Sequence, residues 1–487
     1  MTRILAIDQG TTNTKALLFD ARLRVLARAS RPVASHYPAD GWAEQSAEDI
    51  WQSVADAIGA LVSETGAEGI AAIAIASQRE TLVVWDAATG RPAAPAILWQ
   101  CRRTADACAR LAADGHGAAV EAATGLGLNP LFPASKLSWI LQNVPAARDL
   151  AAAGQLRAGT VDTWLLWNLT GGARFATDHS NAARTLLFDT GKLEFSDELC
   201  ALFDVPRTVL PRPQPSDARF GETAAGATAL PADVPIHAMM GDSHAAFYGH
   251  GIRVPGEVKA TYGTGSSLMT MAPQRTSSAH GLSGTIAWSA GGETAYAIEG
   301  NITVSAHAAA FAARMLGLDD AAALAELART VPDAGGVTFV PALAGLGAPH
   351  WDDAARGTVG GLSLGSAPAH LARATFDAIA HQVADVFEAM EQDTGQRLAA
   401  LRADGGASGN DWLMQLQADI LGRTVIRSDI AEIGARGATA MALAALGHEV
   451  PNATVKTMTC FMPTTDVETR CEMRARWHRA LVQARIG

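Results

Sequence analysis

Hydrophobic positions along the chain fall into short runs separated by polar turns. Residues 4–7 (ILAI) form an apolar run of the kind expected of a buried strand. The polar stretch Asp8-Gln9-Gly10-Thr11-Thr12-Asn13-Thr14-Lys15 follows, then a second run at 16–19, a turn at Asp20-Ala21-Arg22 and an alternating segment at 23–28. This pattern predicts a β-hairpin with a polar tip rather than the strand-to-helix step of a P-loop. A helix is predicted from Ser46 to Thr65. Ser46 and Asp49 resemble a capping box, Ile50, Val54, Ile58, Leu61 and Val62 hold one face, and Gly66 is a natural stop. Further strands are expected at 70–76, 81–85, 96–98, 236–240, 256–262 and 400–403. Further helices are expected at 368–391, after Asn410, at 434–446 and at 471–485. Strands and helices mix throughout, which defines the α/β class. The best boundary is the glycine-containing stretch at 245–255.

Composition narrows the picture. At about 150 residues per domain, 487 residues predict two or three domains with a core that needs no disulfides. Hydrophobic residues make up 48% and charged residues 18%, which excludes an intrinsically disordered chain. The net charge of −11 argues against duplex nucleic acid or an anionic membrane as a partner, while leaving room for a local basic patch. The cysteines at 101, 108, 200, 460 and 471 show no CxxC spacing, so a reduced, cytoplasmic compartment is expected, with Cys101 and Cys108 on one helix. No run of 18 apolar residues is present, and Met-Thr-Arg leads straight into a strand without a signal-peptide pattern. The histidines, including His179, His244, His250, His307, His350 and His381, lack HxxxH and HExxH spacing, so no transition-metal site is expected.

The candidate chemistry lies in three loops. GxxxxGK[ST] is absent, as is GxGxxG after a strand. Loop 8–15 instead offers backbone N–H groups and threonine hydroxyls that suit phosphate oxygens, and Asp8 stands at a strand end where it can orient a metal-bound water. Loop 262–267 (Tyr262-Gly263-Thr264-Gly265-Ser266-Ser267) repeats the glycine–hydroxyl chemistry. Loop 404–410 sets glycines before a helix N-terminus, which suits close approach of a nucleoside or phosphate. Each loop alone is a common turn. Their order, each after a strand, carries the signal.

The segments AIDQGTTNTK (6–15), GWAEQSAEDIW (41–51), SQRET (77–81), ILWQCRRTAD (97–106), GTVDTWLLWNLTGG (159–172), ATYGTGSS (260–267), PALAGLGAPHWD (341–352) and LRADGGASGNDWLMQLQADILG (401–422) resemble the FGGY carbohydrate kinases, and within them the glycerol kinases. The resemblance runs along nearly the whole chain. It implies two actin-like, ribonuclease-H-like lobes with an ATP cleft between them, residues 1–245 forming an N-terminal lobe for polyol and phosphates and 246–487 a C-terminal lobe for the nucleotide. It further implies a kinase that uses ATP and Mg²⁺ to phosphorylate a small polyol or sugar, as a homodimer or homotetramer, with no domain appended. By the same resemblance Asp242 is the catalytic base. Asp8 would organise the metal through water, together with Asp242. Thr11, Thr12, Asn13, Lys15, Thr264, Gly265, Gly406 and Asn410 would bind the nucleotide. Arg79, Glu80 and Trp99 match the family's glycerol contacts, where a guanidinium donates to one hydroxyl, a carboxylate accepts from another and an indole packs on the carbon chain.

Several positions depart from the glycerol kinases. Leu131 stands where they carry a tyrosine, Ser243 where they carry a glutamine and Ser267 where they carry a phenylalanine. Smaller side chains and added hydroxyls predict a wider pocket, suited to a longer polyol or a ketose. Ala306 and Ala310 replace a glycine and a glutamine of the nucleotide pocket. The stretch Thr223–Pro235, which matches a basic fructose 1,6-bisphosphate loop in regulated glycerol kinases, holds no Lys or Arg. An actin-like ATPase acting on a protein partner shares the phosphate loops but lacks the QRET and Trp99 segments.

Overall fold

The computed structural model describes residues 2–430, 432–450 and 458–486. Strands β1 (Arg3–Gln9), β2 (Asn13–Asp20) and β3 (Val25–Pro32) form the expected antiparallel meander. Helix α1 (Ala47–Thr65) is capped by Ser46, whose side chain accepts from the Asp49 amide, and Gly66 ends it at φ 69°. Its face of Ile50, Val54, Ile58 and Leu61 is fully buried against Leu5, Ile7, Ile73 and Ile75 of the sheet. Each such side chain contributes about 1.5–3 kcal/mol of burial. The chain then adds Ile70–Ser77 parallel to β1, and Pro235–Gly241 parallel to that strand, with Arg219–Glu222 at the edge of a six-stranded sheet.

The second half repeats this plan. Glu257–Tyr262, Ser266–Ala272 and Glu293–Ile302 run antiparallel. After the long helix Pro368–Thr394, Ala400–Asp404 pairs parallel with the first of them, and Thr424–Ser428 pairs parallel with Ala400–Asp404. The two sheets share one pairing pattern over six strands, the second adding Ser283–Ala290 at its edge. Each is a meander followed by helix-linked parallel strands, and together they make up the ribonuclease-H-like pair of lobes.

Helix Ile433–Ala445 returns from the second half to pack on β1, Ile70–Ser77 and Pro235–Gly241, and it crosses helix Asp242–Gly249. The crossing is close because two glycines face it. A Cβ on Gly437 would strike the Ala245 carbonyl, and one on Gly249 would strike the Ile433 carbonyl. Cys101 departs from the expectation. It sits in a turn after the strand Ala96–Ile97, and the helix begins only after Thr104, so Cys108 alone is helical. Both are buried free thiols. Among the described residues no helix is long and apolar enough to cross a membrane.

Candidate active site

Sheet register assembles the site. Asp8 lies opposite Ala76, and on the other side of that strand Met240 lies opposite Ala76 and Gly241 opposite Ser77. Asp8, Arg79, Glu80 and Asp242 therefore gather at the carboxyl ends of three adjacent parallel strands, the usual position for ligand sites in such sheets. In the second sheet Thr261 lies opposite Asp404, so loops 262–267 and 405–410 leave from one edge. Gly405, at φ 89°, packs so tightly on Tyr262 that any Cβ would collide with its backbone. The two edges meet where Ser243 Oγ lies 2.8 Å from Ser267 Oγ and Arg79 Nη1 lies 2.7 Å from Glu299 Oε1.

The residues expected around the acceptor form a buried ionic cluster. Arg79 also points its Nε at Asp242 Oδ1, 3.4 Å away. Glu80 adopts a left-handed backbone, φ 59°, and its Oε1 accepts from Arg184 Nε at 2.7 Å. Arg184 Nη2 lies 3.0 Å from Glu299 Oε2. Two arginines and two glutamates thus neutralise one another in the interior. Burial alone would raise the Glu299 carboxyl, but Arg184 and Arg79 hold it well below the usual carboxylate range. Burial likewise opposes the Arg79 charge, and Glu299, Glu80 and Asp242 overcome it. Asp242 is half-buried, with its Oδ1 accepting from the Ser243 amide at 2.6 Å. Burial raises its carboxyl, and Arg79 opposes the rise.

Trp99 is half-buried and its indole N–H is already committed, donating to Thr11 Oγ1 at 3.0 Å. The carbonyl of Leu131 accepts from Lys136 Nζ at 2.6 Å. The hydroxyls of Ser243 and Ser267 are also engaged. Lys259 Nζ donates to Ser243 at 2.6 Å, and Ser267 donates to Glu299 at 2.9 Å. They line the junction as linked groups rather than as free hydroxyls.

Of the residues expected at the phosphates, Thr12 and Asn13 are exposed at the hairpin tip, with the Asn13 side-chain amide donating to Thr12 Oγ1 at 3.2 Å. Lys15 Nζ sits 2.8 Å from Glu432 Oε2, joining the tip to the start of helix Ile433–Ala445. Burial raises Asp8 to about 6, against the pull of Lys15, and the nearby Asp242 and Glu432 add to the rise. Thr264 is exposed, with its carbonyl accepting from the Ser305 amide at 3.0 Å. Gly265 backs onto the Ile302 carbonyl too closely for a side chain, whereas Gly406 faces open space. Asn410 caps helix Asp411–Leu421, its Oδ1 accepting from the amides of Trp412 and Leu413. Ala306 begins helix Ala306–Met315 half-buried, and Ala310, one turn on, is exposed.

Sequence reasoning missed Arg184, Glu299, Lys259 and Lys136, which hold the cluster together. One group has metal-like spacing among the described residues, Asp385 with Glu388 and His478. Arg474 already fills it, donating to Asp385 at 2.6 Å and to Glu388 at 2.7 Å.

Two ribonuclease-H-like lobes, with glycine–hydroxyl loops and a buried ionic cluster at their junction, define a sugar-kinase class of protein. Residues 3–249 match the N-terminal domain, and residues 258–446 the C-terminal domain, of the FGGY family of carbohydrate kinases, and the chain belongs to that family. It is a phosphotransferase with an alcohol group as acceptor. It is 45% identical to an apulose kinase of Pectobacterium atrosepticum, covering 99% of this chain and 98% of that protein. It is 44% identical to a glycerol kinase of Symbiobacterium thermophilum, covering 99% and 98%. The crystal structure of Plasmodium falciparum glycerol kinase with ADP superposes with a TM-score of 0.92 at 28% identity, covering 99% of this chain and 98% of that one.

Proposed function

We propose that the enzyme transfers the γ-phosphoryl of ATP to a terminal hydroxyl of glycerol or a closely related polyol, in the cytoplasm. The observation that carries this reading is the Arg79–Asp242 pair, 3.4 Å apart, at the junction of the lobes. A kinase needs a carboxylate within reach of the attacking hydroxyl proton, and a means of holding that hydroxyl in line. Asp242 accepts the proton, and the Arg79 charge opposes the rise that burial gives its carboxyl. Arg79 and Glu80 hold the remaining hydroxyls while the Trp99 ring covers the carbon chain. Thr11, Thr12, Asn13, Lys15, Thr264, Gly265 and Gly406 receive the nucleotide, with Asn410 fixing the helix behind it. Mg²⁺, when bound, neutralises phosphate charge. Asp8, through water, and Asp242 would hold it: burial raises Asp8 to about 6, the nearby Asp242 and Glu432 add to the rise, and a divalent cation would offset both.

A second reading keeps the chemistry and changes the acceptor to a longer polyol or a ketose. Leu131, Ser243 and Ser267, together with the 45% identity to an apulose kinase, favour it. Phosphorus–proton correlation NMR of the product tests the shared part of both readings. The new phosphate ester is expected to couple to CH₂ protons of a terminal carbon. Coupling to a single CH proton would contradict it.

A further inference from the structure

One buried cation lies behind the proposed acceptor pocket without touching its opening. Lys136, on helix Pro133–Asn143, is 0% exposed. Its ammonium donates to the Leu131 carbonyl at 2.6 Å, to the Glu80 carbonyl at 3.0 Å and, more weakly, to the Trp99 carbonyl at 3.5 Å. These residues come from three separate stretches of chain, and each stands at the pocket. An ammonium carries three donors and no acceptor, so the protonated form serves all three carbonyls and the neutral amine cannot.

Glu80 shows why such a tie is needed. Its left-handed backbone, φ 59°, is unfavourable for a side-chain-bearing residue and persists only where the surroundings over-determine it. Two groups do so: Arg184 holds its carboxylate at 2.7 Å and Lys136 holds its carbonyl. Without Lys136, one constraint on the proposed hydroxyl acceptor is gone, and the indole and Leu131 walls lose their common anchor.

We infer that Lys136 is a positioning residue for the acceptor, setting the relative placement of Glu80, Trp99 and Leu131 without contacting the substrate. The inference rests on the reading of those three residues as the acceptor pocket. It adds a pH dependence. Burial pushes the Lys136 ammonium down to about 7, against the Glu80 carboxylate, which favours its charge. The other groups facing it are Arg103, which disfavours the charge, and the thiols of Cys101 and Cys108. Burial raises the Cys108 thiol. Loss of the Lys136 proton above about pH 7 removes a donor from the three carbonyls, so acceptor affinity falls as pH rises.

The test is Lys136→Met, which keeps the length and removes the donors. The KM for the acceptor is expected to rise about tenfold to a hundredfold, with the nucleotide KM within threefold of the parent. An unchanged acceptor KM overturns the inference. In that event Glu80→Gln separates the two levels of the argument. A raised acceptor KM in Glu80→Gln sinks only the role of Lys136, and an unchanged one sinks the pocket assignment too. Should Lys136→Met fail to fold, calorimetric titration of Asp242→Asn protein with the preferred acceptor from pH 6 to 8.5 decides instead. Weakening across about pH 7 supports the inference, and a flat profile overturns it.

Discussion

Ser243 Oγ lies 2.8 Å from Ser267 Oγ, a hydroxyl-to-hydroxyl bond that joins the two halves of the enzyme. It sits inside a longer chain in which each hydroxyl donates once and accepts once. Lys259 donates to Ser243 at 2.6 Å, Ser243 donates to Ser267, and Ser267 donates to Glu299 at 2.9 Å. Glu299 in turn holds Arg79, which faces Asp242. Ser243 and Ser267, both expected to depart from the glycerol kinases, thus link a buried lysine to the arginine beside the proposed base.

If that link shapes acceptor choice, restoring the larger residues will change it. The double variant Ser243→Gln, Ser267→Phe is expected to raise kcat/KM for glycerol relative to a longer polyol or ketose by about tenfold, the scale of discrimination available from pocket size. Competition between the two acceptors measures this, and an unaltered ratio would remove both serines from the specificity argument.

Asp242→Asn is expected to lower kcat by about two to four orders of magnitude, the usual worth of a positioned base. Nucleotide affinity, followed by titration with ATP, should stay within threefold. Near-normal turnover would take Asp242 out of the role.

Glu299→Gln removes the carboxylate nearest Arg79 and one of the two that hold Arg184 in the interior. A loss of about 3–5 kcal/mol is expected at neutral pH, as for other broken buried pairs. The sign with pH follows from linkage. Arg184 and Arg79 hold the Glu299 carboxyl below its usual value of 4.5, so its contribution is complete above that value and is lost as pH falls below it. Thermal melts of the two proteins should therefore converge below about pH 4.5. A gap of constant size down to pH 3 would contradict the assignment.

Fructose 1,6-bisphosphate is expected not to inhibit. The stretch Thr223–Pro235 carries no Lys or Arg, and Thr223 closes it on itself, donating to the Pro231 carbonyl at 2.7 Å and accepting from the Val234 amide at 3.0 Å. A micromolar inhibition constant would overturn this.

Local pattern carried the individual elements, and the two-lobed arrangement came from the family resemblance. The capping of α1 by Ser46, its stop at Gly66 and the polar hairpin tip are short-range features, and the structure has each of them. The loops at Asp8, Asp242, Gly265 and Gly406 were legible for the same reason. Arg184, Glu299, Lys259 and Lys136 were not, because each is an isolated charge in an apolar stretch whose meaning comes only from partners far away in sequence. Lys136 in PASKLSWIL was the most readable of them, a lone cation on a helix whose Leu137 and Ile140 are core residues. The serines show the opposite limit. Their identities were plain, but their engagement with Lys259 and Glu299 required the two sheets to be brought together. Cys101 was misplaced because seven-residue spacing suits a helix, whereas the turn that sets Trp99 delays the helix until after Thr104.

In the proposed reaction a small polyol or sugar accepts the phosphoryl group in the pocket of Arg79, Glu80 and Asp242. Coupled ADP release over a panel of glycerol, apulose, tetritols, pentitols and ketopentoses tests it most directly. ADP release is expected to depend strictly on added acceptor, with one panel member far above the rest. Release at the same rate with no acceptor present would contradict the account.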